Sequence, residues 1–227
     1  PAIPFFKLKK LIHLTFIIFL LPVLCFSEET LNDINFNVYR NNSKIGFHKI
    51  SFIKKNDIIS SKIEIKFEVT FLGFVVYDYY HLNNEKWENN TLVSMNAVTD
   101  KNGEKLECNL KKESQFKISG TSGNQLLNDK ITPTTYWNFD ELIGKGNRNK
   151  VLNSQDCSYI DFKINYLGEE LIYDNLIKTS RYKLTGKEAS GDDVNIDIWY
   201  NKDNWVKMIF LKDGSKIEYF LNEYDKN

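Results

Sequence analysis

The sequence predicts an all-β fold: an antiparallel meander forming a curved sheet or partly open β-barrel, with one short helical insert near residues 134–143. Three observations predict it. Apolar and polar residues alternate with period two, most cleanly where Ile63, Ile65, Phe67, Val69 and Phe71 interleave with Lys62, Glu64, Lys66, Glu68 and Thr70. Turn signals such as Asn102-Gly103 and Asp213-Gly214 recur at short spacing. Aromatic residues make up 14% of the chain, a composition that suits packed sheets.

The N-terminal stretch reads differently. Lys7, Lys9 and Lys10 precede an apolar run over residues 11–25, the layout of a secretory signal peptide, with cleavage expected after Ser27. The run falls short of the roughly 20 residues a membrane-spanning helix needs, and Pro22 breaks it. An uncleaved anchor and lipidation at Cys25 are the competing readings; Leu24 occupies the position where lipidation wants a small residue. Residues 1–27 are therefore expected to leave, and residues 28–227 to form one β-rich domain with no stable membrane insertion. Removing three lysines and no acids leaves 27 basic against 30 acidic residues, a balance that does not suggest nucleic acid as a partner. Heavy use of Lys, Asn and Ile with little Ala fits an AT-rich bacterial genome, and the expected location is the periplasm of a Gram-negative bacterium.

Taken in order, residues 36–40 and 45–53 flank Asn41-Asn42-Ser43-Lys44 and read as a hairpin. The apolar positions Ile45 and Phe47, then Ile50 and Phe52, change parity near His48 and Lys49, so a bulge is expected there with His48 on the surface or rim. After the clean alternation of residues 62–71, Leu72-Gly73-Phe74-Val75-Val76 abandons the pattern, and Gly73 permits a bend. A tyrosine-rich segment, residues 77–87, follows. Val93, Met95 and Ala97 face inward, as do Leu106, Cys108 and Leu110 beyond the Asn102-Gly103 turn. Phe116 and Ile118 continue the series to a Gly120-Thr121-Ser122-Gly123 loop. Later strands carry Ile160, Phe162 and Ile164; Tyr182 and Leu184; Val194, Ile196, Ile198 and Tyr200; Val206, Met208 and Phe210; and Ile217, Tyr219 and Leu221. Turns are expected at Gly168-Glu169-Glu170 and Gly191-Asp192-Asp193. Roughly ten to twelve strands result. Trp87, Val93-x-Met95, Asn102-Gly103 and Lys105-x-Glu107 resemble Trp199, Val206-x-Met208, Asp213-Gly214 and Lys216-x-Glu218, a weak internal repeat of two meanders.

Residues 132–143 interrupt the strands. Pro133 cannot donate to a ladder, Thr134 or Thr135 is placed to cap a short helix through Leu142, and Gly144 and Gly146 end it. An aromatic insert at the mouth of a sheet is a place where function is found. Tyr136 and Trp137 are accordingly read as ligand-gating contacts and Asn138 as a polar handle, with Trp87 and Tyr79 as further contacts. The competing reading makes Trp137 and Phe139 a plug for the open end of the core.

Cys108 and Cys157 admit two readings, a disulfide in an oxidising compartment or two independent cysteines. A bond would close 48 intervening residues and contribute about 4 kcal/mol. Asp78, His81 and Glu85 are close in sequence, but residues three apart on a strand point to opposite faces, so no metal site is read there. No nucleophile elbow or phosphate-binding loop is present, no cofactor is expected, and the acid pairs Glu169-Glu170 and Asp192-Asp193 sit in expected turns.

Several segments together resemble a family. Phe36-x-Val38-Tyr39-Arg40 through Ile45-Gly46-Phe47-His48, Glu85-x-Trp87, Leu92-Val93, Pro133-x-Thr135-x-Trp137-Asn138, Arg181-Tyr182-x-Leu184-x-Gly186 and Trp199-Tyr200 through Trp205-Val206 resemble the secreted bacterial family DUF6134. The resemblance implies export and a β-rich fold and brings no activity or catalytic residues. The architecture is also similar to the half-barrels of periplasmic lipoprotein carriers. The expected function is a non-enzymatic domain holding an apolar or lipid-like ligand. The alternatives are an envelope scaffold or interaction module with a filled core, and a hydrolase with acidic rim residues.

Overall fold

The structure, a computed structural model, describes residues 31–225; the expected signal segment lies outside them. One sheet contains β1 (Ile34–Arg40), β2 (Ser43–Lys55), β3 (Ile58–Phe71), β4 (Phe74–Glu88), β5 (Thr91–Lys101), β6 (Glu104–Lys112), β7 (Phe116–Gly120), β8 (Gly123–Leu127), β9 (Thr132–Pro133), β10 (Arg148–Leu152), β11 (Tyr159–Ile172), β12 (Ile177–Lys187), β13 (Asp193–Asn201), β14 (Asn204–Lys212) and β15 (Ser215–Leu221). β1 pairs with both β2 and β15, so the first and last strands are neighbours and the sheet's two edges, β8 and β9, fall mid-chain. Only the short β9–β10 pairing is parallel. Pro133, which has no N–H to donate, lies in the edge strand.

The fifteen strands exceed the roughly ten to twelve expected by β8, β9 and β10, which are 5, 2 and 5 residues long and carry too little alternation to read as strands. Asn56, Asn89, Asn90 and Lys202 adopt positive φ, a region Asn tolerates better than most residues. Two expectations are corrected. The β1–β2 slip occurs at Ile45, since Val38 pairs with Gly46 and Tyr39 with Lys44; His48 therefore shares the inward parity of Ile50 and Phe52 and is buried. Gly168 is no turn but part of a bulge within β11, where Tyr166 pairs with Tyr182 and Gly168 with Arg181; the reversal comes at Tyr173, Asp174 and Asn175, all at positive φ. The two related meanders exist as β4–β5–β6 and β13–β14–β15, each with a valine, Val93 or Val206, skipped in the ladder. In this pairing Trp87 corresponds to Tyr200, not Trp199: Trp87 pairs with Leu92 and Tyr200 with Trp205.

The sheet curls until its edges approach, and the disulfide fastens them. Cys108 on β6 is bonded to Cys157 in the β10–β11 connection. Beside it Ser122 N donates to the Asp156 carbonyl (2.8 Å) and the Tyr159 hydroxyl to Gln125 Oε1 (2.6 Å). Gly120 is required here: a Cβ would lie 2.5 Å from the Glu107 carbonyl oxygen and 2.8 Å from Cys157 Sγ. Leu152 and Cys157 join Trp87, Met95, Leu110 and Ile118 in one buried cluster spanning the seam. A larger cluster, including Phe36, Ile50, Phe162, Ile198, Tyr200 and Trp205, packs in the rest of the curl.

The insert forms one helical turn, α1 (Phe139–Leu142), capped by Asn138, whose Oδ1 accepts from Glu141 N at 3.2 Å. The cap is thus Asn138 rather than Thr134 or Thr135. The aromatic rings drive the insert into the curl: Trp137 packs edge-on against Phe52 (5.0 Å) and Trp87 (5.6 Å), and Phe139 against Tyr200 (4.9 Å).

Candidate ligand-binding cavity

Strand register arranges the inward side chains in rows. Phe67 is opposite Tyr79, Ile65 opposite both His48 and His81, Ile63 opposite both Ile50 and Asn83, and Ser61 opposite both Phe52 and Glu85. Period two along β4 therefore puts Tyr79, His81, Asn83, Glu85 and Trp87 on one inward stripe, all buried. His81 and Glu85 are four apart and share this face; only Asp78, three from His81, points away. Among the described residues no group of three or more His, Cys, Asp or Glu is arranged to hold a metal ion.

Above the lower part of this stripe lies a cavity of about 480 Å³. Its walls combine the apolar Ile45, Ile50, Ile63, Ile65, Phe67, Met208, Phe210 and Ile217 with the polar Asn153, Ser154, Gln155 and Asn195, and the insert contributes Thr134, Thr135 and Tyr136. The ends of β1, β5 and β14 bring Arg40, Lys101 and Lys212 to its lining, with Glu188, Asp193 and Asp213. At this same end the β3–β4 hairpin carries Val69, Val76 and Tyr77 on the lining and Phe71, Leu72 and Phe74 exposed at its tip.

Of the residues the sequence singled out, Tyr79 and Tyr136 line the cavity. Trp87, Trp137 and Asn138 do not; they lie in the packed layer beneath it. Both indole N–H groups donate to Glu85 Oε2, from Trp87 at 2.9 Å and Trp137 at 3.4 Å. Ser61 Oγ (3.2 Å) and Thr135 Oγ1 (3.4 Å) donate to the same oxygen, and Asn83 Nδ2 to Oε1 (2.9 Å). Asn138 spends its side chain on the helix cap and on Asn90 Oδ1, to which Nδ2 donates at 2.9 Å.

The polar groups sequence reasoning missed are His48, His81, Asn83 and Glu85. A signal existed for each: His48 is an even step from Ile50 and Phe52, and the other three are even steps from Trp87. His48 is 4% exposed, in a cage of Phe36, Trp205 and Tyr219 rings, and neither ring nitrogen has a hydrogen-bond partner. His81 Nδ1 shares a 2.8 Å hydrogen bond with Thr99 Oγ1. Burial pushes the His48 pKa down to about 3, with a further push from His81, and burial lowers His81 to about 4. Burial also raises the phenols of Tyr79, Tyr136 and Tyr219 above their ordinary value, and raises the Glu85 carboxyl against the opposing hydrogen bonds from Trp87, Trp137, Ser61 and Asn83. The histidines and tyrosines lining the cavity are consequently uncharged at neutral pH.

Residues 36–222 match the family described as Domain of unknown function (DUF6134). The chain belongs to DUF6134. The DUF6134 sheet is similar in fold to the crystal structure of a β-barrel-like protein of Domain of Unknown Function DUF1849 from Brucella abortus, with a TM-score of 0.59 at 9% identity. That alignment covers 83% of this DUF6134 chain and 94% of the Brucella chain. No curated protein sequence matches it.

Proposed function

We propose that this DUF6134 domain is an exported, non-enzymatic binding domain that holds an apolar, lipid-like molecule in the cavity between the curled sheet and the insert. One observation carries the reading: a space of about 480 Å³ whose wall carries Ile, Phe and Met side chains, within the roughly 300–1,000 Å³ range of small-molecule sites. A sheet of fifteen strands curls too widely for its own side chains to fill it, and the insert packs one side while leaving the other open. The charged groups gather at the lining contributed by strand ends, so an apolar chain entering past them would meet Ile, Phe and Met side chains.

Native mass spectrometry of protein exported to a periplasm and purified without detergent tests this. A co-purifying mass of lipid size, released on unfolding, is expected. A clean apo mass that stays unchanged when lipid extract is added would remove the reading. The same spectrum reports the mature N-terminus, expected at Glu28.

A second reading is favoured by the β3–β4 hairpin tip, where Phe71, Leu72, Phe74, Val75 and Val76 are all exposed. A contiguous exposed apolar patch marks an interaction surface. This module reading predicts a co-purifying protein, lost in Phe74→Asp, with no bound small molecule.

A further inference from the structure

We infer that the ligand is a neutral amphiphile whose buried end carries hydroxyl groups, hydrogen-bonded by His48 and Asn83 instead of paired with a charge. This rests on the cavity-binding reading above and names the chemistry of the same site. It is carried by two unsatisfied groups. Nδ1 and Nε2 of His48 and Oδ1 of Asn83 have no hydrogen-bond partner, although both residues are more than nine-tenths buried and both line the cavity. Native folds leave few such atoms unpaired, because each forgoes the hydration it had in the unfolded chain.

The missing complement defines the ligand. A neutral imidazole presents one donor and one acceptor, whereas the free Asn83 oxygen is an acceptor only, its Nδ2 being engaged by Glu85. Two donors and one acceptor are therefore wanted. Two hydroxyls supply both donors and the acceptor; one hydroxyl supplies one donor and the acceptor; a hydrocarbon supplies neither; a carboxylate or phosphate only accepts. An anion would also be poorly placed, because burial keeps both imidazoles neutral and the Glu85 carboxyl lies one inward step below Asn83. The cationic side chains Arg40 and Lys101 are at the opposite, outer end of the lining: Lys101 pairs with Tyr79, two inward steps above Asn83. Monoacylglycerols, with two free hydroxyls, carry the full complement, and long-chain alcohols and sterols carry the part of it that one hydroxyl supplies.

Decan-1-ol, decanoate and decane titrated into the full chain separate the possibilities, followed through the indole emission of Trp205, whose ring centroid is 5.2 Å from that of His48. Decan-1-ol should bind more tightly than decanoate. His48→Leu should weaken decan-1-ol on the order of tenfold while leaving decane unchanged or tighter, and His48→Gln, which keeps a donor and an acceptor, should restore much of the loss. An alcohol-to-alkane ratio unaltered by His48→Leu, or decanoate as the tightest probe, overturns the hydroxyl assignment while the cavity-binding reading survives. Failure of all three probes to bind removes both. Should His48→Leu not fold, imidazole ¹⁵N shifts of the unaltered protein decide: His48 resonances unmoved by decan-1-ol overturn the assignment.

Discussion

The Cys108–Cys157 bond joins parts of the sheet that do not pair directly with each other, and its removal should open the curl at that seam. The two cysteines are 49 residues apart in sequence, for which the loop-entropy treatment assigns about 4 kcal/mol. That is a large share of the roughly 5–15 kcal/mol that stabilises a typical domain. Replacing both cysteines by Ala leaves β7 and β8 held across the seam by the Ser122–Asp156 and Tyr159–Gln125 hydrogen bonds and by the packing of Leu127, Ile131 and Tyr159. Urea unfolding should show stability reduced by about 4 kcal/mol. Amide exchange read by mass spectrometry should accelerate first in residues 116–127, while β1, β14 and β15 keep their protection. A loss under about 1 kcal/mol with unchanged exchange in β7 and β8 would refute the argument and assign closure of the curl to side-chain packing alone.

Three further outcomes follow from the buried polar stripe and the hairpin. Because burial lowers the folded pKa values of His48 and His81 to about 3 and about 4, the unfolded chain binds more protons than the folded one below the ordinary histidine pKa of 6.5, so stability falls as pH drops through that window. Glu85, raised by burial, contributes the opposite slope above its ordinary value of 4.5, so the clean measurement is a difference: between pH 7.5 and 5 the parent should lose about 2 kcal/mol more than His48→Leu, and equal losses would contradict it. Glu85→Leu, which strands the indole N–H groups of Trp87 and Trp137 together with Asn83 and Ser61, should cost about 3 kcal/mol or more in chemical unfolding; Glu85→Gln, retaining an acceptor oxygen, should cost clearly less. Phe74 is 74% exposed, so Phe74→Asp should change stability by less than about 0.5 kcal/mol and reduce self-association in light scattering at high concentration.

Much of this fold is legible residue by residue. The alternation of residues 62–71 places Ile63, Ile65 and Phe67 inward, and Asn102-Gly103 and Asp213-Gly214 both make the tight turns they signal. The misreadings share a cause. His48 was placed outside because Phe47 looked like the core residue; yet Phe47 is only half-buried and Lys49 lies over its ring, 4.6 Å away. A bulge moves parity without a mark of its own, and Ile45 is no different in type from its neighbours. Nothing in the sequence marks Glu85 as buried, because a carboxylate rarely is; five neutral donors from three separate parts of the chain make the exception.

The sequence by itself determined the secondary-structure type, the antiparallel meander and the inward set of most strands, because period-two patterning and turn chemistry act over a few residues and need no knowledge of the rest of the chain. Only the tertiary structure decided that β1 lies against β15, that the edges beside residues 128–131 meet across a disulfide, and that Tyr79 and Tyr136 reach a shared cavity while Trp87 and Trp137 lie under it. Those outcomes depend on how far a wide sheet curls before its edges touch, a property of all fifteen strands together and of none of them alone.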